Sequence, residues 1–251
     1  MTGGDQGERV PITIERLLEV LAQGQVEEQH GVMRWSSNYT FLLSLAFEDV
    51  TTLAVYKPQR GERPLWDFPD GTLCYREVAT FRTSHELGWQ IVPPTVLREG
   101  PHGIGSVQFF IEHDPEQNYF SFDKALRPQL RRFALFDYLV NNADRKGGHI
   151  LLDPTGHLWG IDHGITFNRD HKLRTVIWDF AGEPVADDLL DDVARLLACL
   201  TDTSSAFHQD LCALLNEGEI HAFRRRLEKV LRNRRYPQPG PGPTNYPWPP
   251  V

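Results

Sequence analysis

Asn142-Ala143-Asp144-Arg145-Lys146-Gly147-Gly148-His149, and shortly after it Ile161-Asp162-His163-Gly164, are the two stretches on which the reading of this chain turns. Between them, Ile150-Leu151-Leu152-Asp153, Pro154-Thr155-Gly156-His157 and Leu158-Trp159-Gly160-Ile161 read as strand, turn and strand, a tight β-hairpin. Such a hairpin folds His149 and Asp162 back toward each other, with Asp144 on the loop just before. One small volume then holds a carboxylate, an imidazole and a second carboxylate. That set can bind a divalent cation and hold a hydroxyl for proton transfer. Taken alone, Asp144 beside Arg145 reads as a surface ion pair at a helix end. The intervals to His149 and Asp162 make the case for a site.

Upstream, Leu53-Ala54-Val55-Tyr56-Lys57-Pro58 is an apolar strand that ends on one lysine, at the edge of a cleft. Glu77, on the helix expected over 73–87, is its natural ion-pair partner, and the pair can fix an anion such as a phosphate. The turn Ser36-Ser37-Asn38 lies between the first two strands. It has no GxGxxG fingerprint, but its hydroxyls and backbone N–H groups can cap a triphosphate.

The rest of the chain frames these segments. Residues 1–10 are polar and Gly-rich and are expected to be flexible. Thr13 is placed to cap a helix that ends at Gly24. Strands follow over 25–34, 39–47 and 51–56, with more near 95–98 and 106–112, so residues 1–112 form an antiparallel sheet with one main helix. From His113 the pattern turns helical. Pro128 opens a helix to Asn141, and three amphipathic helices span 189–201, 204–215 and 218–235. Residues 237–251 hold seven prolines, which predicts an extended, solvated and disordered tail over 236–251.

Composition excludes several classes. The chain of 251 residues has a formal net charge of -8, which argues against a nucleic-acid or anionic-membrane binder. Its longest apolar runs, near 40–47 and 133–140, are too short to span a bilayer, and Met1–Glu8 has no secretory signal character. Cys74, Cys199 and Cys212 show no CxxC spacing, which fits a reducing cytoplasm and no structural zinc. The fold class is α+β, and the expected location is cytoplasmic.

In this order, strand Lys57, helix Glu77, Asp144-Arg-Lys-Gly-Gly-His149 and Ile-Asp162-His-Gly resemble the kinase fold. They are closest to its phosphatidylinositol 3-/4-kinase-like branch, where the catalytic loop begins Asp-Arg and the metal motif is Asp-x-Gly. Over about residues 12–235 the chain is similar to a small actinobacterial group within that branch. The resemblance implies two lobes, 1–112 and 113–235, with ATP in the cleft between them and Mg²⁺ or Mn²⁺ under its phosphates. It places Lys57 on the α/β-phosphates, with Glu77 positioning it. Asp144 becomes the catalytic-loop aspartate, and His149 and Asp162 the metal ligands. Ser36, Ser37 and Asn38 lie over the phosphates, and Phe110, Ile111 and Glu112 form the hinge beside adenine.

Two departures shape the reading. His149 stands where the family has asparagine, and imidazole favours Mn²⁺ or Zn²⁺ more than an amide oxygen does. A ligand imidazole must be neutral, so activity is expected to fall below about pH 6.5. The segment after Gly164 is short; its Arg169, His171, Lys172 and Arg174 can meet an anionic substrate. The acceptor stays open among a protein, a lipid and a small molecule. Three readings stand beside an ATP-dependent phosphotransferase: a nucleotide-binding pseudokinase scaffold, an AMP-transferring enzyme, and a metallohydrolase using His149, His157, Asp162 and His163.

Overall fold

The computed structural model describes residues 12–32, 39–241 and 243–251; the expected flexible start over 1–10 and the turn Ser36-Ser37-Asn38 lie outside the described residues. Helix α1 (Ile14–Gln23) starts where Thr13 accepts the Arg16 N–H through its hydroxyl at 3.2 Å, and it buries Leu17, Val20 and Leu21. Strands β1 (Gln25–Val32), β2 (Phe41–Phe47), β3 (Val50–Pro58), β4 (Thr95–Gly100) and β5 (Gly103–Phe109) form one antiparallel sheet in the order β1-β2-β3-β5-β4. Leu43, Leu45, Ala54, Tyr56 and Val107 point to its packed face, against Leu17 and Leu21 of α1. Along β3 burial alternates, so Ala54 and Tyr56 face inward and Lys57 stands on the opposite face, toward the cleft.

Helix α2 (Leu73–Leu87) stops at Gly88, whose φ of 72° is the left-handed conformation that ends many helices. The Glu62 carboxylate holds its first turn, accepting from the N–H groups of Leu73 at 3.1 Å and Cys74 at 2.8 Å. Although α2 lies in the N-terminal segment, its Ala79, Phe81 and Leu87, with Trp89, Ile91 and Val92 after it, belong to the main core of the second lobe. Buried Arg76 on α2 pairs with Glu219 and also donates to the Thr166 carbonyl at 2.6 Å. The helix is thus bolted to the C-terminal lobe.

That lobe comprises α3 (Arg127–Val140), the hairpin β6 (Ile150–Leu152) and β7 (Leu158–Gly160), α4 (Asp187–Thr201), α5 (Ala206–Leu214) and α6 (Glu217–Asn233). Pro128 sits in the first turn of α3, where its missing N–H has no partner to lose, and Asn141 closes the helix at φ 56°. A capping box between Asn216 and Glu219 opens α6. No helix among the described residues is long and apolar enough to cross a membrane.

The Pro-rich tail departs from the solvated, disordered segment that its composition predicts. The Asn245 carbonyl accepts from Thr175 N at 3.1 Å and Trp178 Nε1 at 3.2 Å, while the Pro250 carbonyl accepts from Gly147 N at 2.8 Å. Tyr236 and Asn245 are buried. Proline has no N–H, so such a chain offers mainly acceptors; here they meet backbone donors on Gly147, in the loop after α3, and on Thr175, and the indole N–H of Trp178.

Candidate active site

The loop that ends α3 is built around Arg145. This side chain is fully buried, and its Nε and Nη2 donate to Asp137 on α3 at 3.0–3.1 Å. Its Nη1 donates to the carbonyls of His149 and Ile161, both at 3.1 Å, so one guanidinium fixes both ends of the hairpin. Its Nη2 also donates to His163 Nε2 at 2.5 Å, which engages that ring nitrogen. Gly160 is required here, because a Cβ would meet Phe133 at 2.9 Å and Arg145 at 3.3 Å. The partner of Arg145 is therefore Asp137 and not Asp144.

The hairpin brings the expected groups together. Asp162 takes φ 57°, a left-handed backbone uncommon for a residue with a Cβ, and presents its carboxylate to the cleft. Lys57 Nζ donates to Asp162 Oδ1 at 2.5 Å and to Glu77 Oε1 at 2.6 Å. Glu77 is 3% exposed, and its second oxygen accepts from the His163 N–H at 3.0 Å. Sheet, helix α2 and metal motif thus meet on one ammonium. The two carboxylates hold the Lys57 ammonium charged against burial, and Lys57 pulls Asp162 far below the usual carboxylate range.

His149 Nδ1 lies 2.9 Å from the Asp144 carbonyl, which can only accept, so Nδ1 carries the proton and Nε2 is bare. Burial lowers the imidazole to about 4, which keeps it neutral. The bare Nε2 faces Asp162 Oδ2 at 3.3 Å. Two acceptors at that distance with no proton between them form half of a cation site, and this donor set fits a divalent metal. Burial also raises the Asp144 carboxyl to about 6, with the Asp162 charge adding to it and nearby Lys146 opposing it. Burial therefore moves these two groups in opposite senses, His149 away from the acid limb near pH 6.5 that the sequence suggested and Asp144 toward neutrality.

These residues line a cleft of about 520 Å³. Arg63 and Lys146, two cations that the sequence reading did not assign to the site, line it as well, together with Arg174, one of the basic residues expected to meet an anionic substrate. Lys146 Nζ stands 3.6 Å from Asp144 Oδ2. Its position two residues after Asp144 was the available signal; Arg63 sits in a loop with no pattern to mark it. Phe110, Ile111 and Glu112 follow β5 directly, with Phe110 N donating to the Leu53 carbonyl at 3.1 Å; they connect the lobes but do not line this cleft. His157 Nε2 is bonded to the Gln90 carbonyl at 2.8 Å. Among the described residues no group of three or more His, Cys, Asp or Glu side chains converges as a metal site, which removes the support for a metallohydrolase with its usual three protein ligands.

Comparison with known proteins agrees with this geometry. The family model of phosphatidylinositol 3- and 4-kinase matches residues 21–233. Protein Rv2133c of Mycobacterium tuberculosis is 38% identical, over 92% of this chain and 94% of that protein. The crystal structure of the Helicobacter pylori proinflammatory kinase CtkA has the same fold, with a TM-score of 0.52 at 13% identity, over 86% of this chain and 94% of that one. With a family model spanning both lobes and a relative of this similarity, the chain belongs to the phosphatidylinositol 3- and 4-kinase family of two-lobed, kinase-like phosphotransferases.

Proposed function

We propose that the cleft transfers a phosphoryl group from ATP to an acceptor hydroxyl, with Mg²⁺ or Mn²⁺ as cofactor. The observation that carries the reading is the Lys57 ammonium, which reaches from the sheet lobe to within 2.5 Å of Asp162 in the helical lobe. Lys57, steadied by Glu77, neutralises phosphate oxygens. Asp144, with a carboxyl that titrates at about 6, is ionised at neutral pH and basic enough to orient and accept the proton of the hydroxyl. His149 Nε2 and Asp162 Oδ2 would hold the metal, which when bound would offset the charge of the phosphates. Two protein ligands would suit an ion shared with a bound nucleotide. Phe110–Glu112, on the connection between the lobes beside this cleft, would serve adenine, and the acceptor is a protein, a lipid or a small molecule.

The test is thermal shift with ATP and Mn²⁺ or Mg²⁺, followed by ATP consumption. Stabilisation with turnover supports transfer. Stabilisation without turnover selects a nucleotide-binding scaffold, a reading favoured by His149 in the asparagine position. Mass spectrometry of a modified product separates phosphoryl from adenylyl transfer. Absence of any nucleotide effect overturns all three.

A further inference from the structure

A second site stands on α6, independent of what the cleft does. Arg225, Lys229 and Arg232 recur at four- and three-residue intervals on one face of the helix, and the buried Arg226 beside them lines the same hollow. Arg169 and His171, from the segment after the metal motif, form the other wall of a cavity of about 520 Å³ that shares no lining residue with the cleft. The acidic lining residue, Glu228, is engaged by Arg224 at 2.9 Å. The helix dipole accounts for Arg232 in the last turn but not for the cations in the turns before it, where like charges at this spacing repel. Five cationic side chains around one hollow are unexpected in a chain of net charge -8.

Arg226 decides the matter. It is 8% exposed, with Nε donating to the Leu139 carbonyl at 2.7 Å and Nη1 reaching the Asn168 carbonyl only at 3.4 Å. Its Nη2 is buried with no hydrogen-bond partner. The buried Arg76 has Glu219, and the buried Arg145 has Asp137. Arg226 has no carboxylate within ion-pair distance among the described residues. A buried guanidinium without a counter-charge is unfavourable unless an anion supplies one.

We propose that this cavity binds a phosphate-bearing anion, with the Arg226 guanidinium as its floor and Arg169, Arg225, Lys229 and Arg232 around its mouth. A monocarboxylate has two oxygens and one charge, too few for donors that converge from both walls. A phosphomonoester or diphosphate has enough oxygens and charge. An extended nucleic acid does not match a concave pocket on an acidic chain. The ligand would cross-link α6 to residues 168–171. Those residues hang from Asn141 at the head of the catalytic loop, through its Nδ2 to the carbonyls of Asn168 at 2.9 Å and Asp170 at 2.6 Å.

The test uses the full chain and the exposed rim, so that folding is not at risk. Inorganic pyrophosphate is titrated calorimetrically into wild type, Arg225→Ala, Lys229→Ala and, as a charge-matched control on α4, Arg195→Ala. A parallel arm measures cosedimentation with phosphatidylcholine vesicles with and without phosphatidic acid. Each rim variant is expected to weaken binding about tenfold, while Arg195→Ala matches wild type. Loss in the pyrophosphate arm identifies a soluble ligand; loss in the vesicle arm alone identifies a lipid headgroup. Affinity unchanged in both rim variants puts the anion in the cleft and overturns the proposal. Equal weakening by Arg195→Ala, or no saturable binding in either arm, overturns it as well.

Discussion

Replacing Asp137 with asparagine removes one buried charge on which the catalytic loop is built. Asp137 Oδ1 accepts from Arg145 Nη2 at 3.0 Å, Arg145 Nε at 3.1 Å and Asn142 Nδ2 at 3.0 Å, while Oδ2 accepts from Arg145 Nε at 3.1 Å and Thr175 Oγ1 at 3.3 Å. Asparagine keeps the volume but turns one of these oxygens into a donor, which then faces other donors whichever way the amide is set. It also strips the counter-charge from a guanidinium with no exposed surface. Breaking a buried pair by removing one partner costs about 3–5 kcal/mol. At about 2–4 °C per kcal/mol for a chain of this size, the melting temperature should fall by about 6–20 °C. Thermal melts read by fluorescence measure it, with Asp170→Asn, an exposed carboxylate, as the control expected to lie within about 2 °C of wild type. Because Arg145 also holds the His149 and Ile161 carbonyls, turnover should fall more than nucleotide affinity. A melting temperature within about 2 °C of wild type would refute the role given to this pair.

Asp144→Asn should stop turnover and yet stabilise the protein at neutral pH. The carboxyl titrates at about 6 in the fold against an ordinary 3.8, so its ionisation disfavours folding as pH rises through that window. Removing it should add about 1–2 kcal/mol at pH 7–8, after allowance for partial exposure, and nothing below about pH 4; melts across pH measure this. In wild type, turnover should drop as pH falls through about 6, and His149→Asn should keep that limb because the imidazole is neutral down to about 4. The same variant should shift the metal preference from Mn²⁺ toward Mg²⁺, read from turnover with each ion; an unchanged preference would remove His149 as a ligand. Ending the chain after Pro239 removes the bonds from Asn245 and Pro250 to Thr175, Trp178 and Gly147. It should cost about 2–4 kcal/mol and speed hydrogen exchange at the Gly147 amide; unchanged exchange there would mean that the tail holds nothing.

The lobes and the hairpin were legible because they rest on local rules: Thr13 and Pro128 at helix starts, an apolar run ending on Lys57, and a Pro-Thr-Gly turn between two short apolar runs. Lys57 comes from the sheet and His149 and Asp162 from the two ends of the hairpin, and Glu77 on α2 and Asp144 on the loop after α3 meet them there. What stayed hidden depends on partners distant in sequence or on burial. Arg145 next to Asp144 reads as a surface pair until α3 places Asp137 beneath it. Glu77 reads as the partner of Lys57, but the backbone N–H of His163 that its second oxygen accepts is delivered only by the tertiary fold. The tail reads as solvated because composition counts prolines and not the donors across from them. Arg226 had no signal at all, because a missing carboxylate can be recognised only once every neighbour is in place.

The most direct test of phosphoryl transfer in this cleft is metal-dependent ATP turnover by wild type and by Asp162→Asn. Asparagine tolerates the left-handed backbone at this position, so the variant should fold while it gives up the charge that meets Lys57 and faces His149. Turnover in wild type with Mn²⁺ or Mg²⁺, abolished in the variant while the cooperative melt persists, is the predicted result. Equal turnover by both proteins would contradict it.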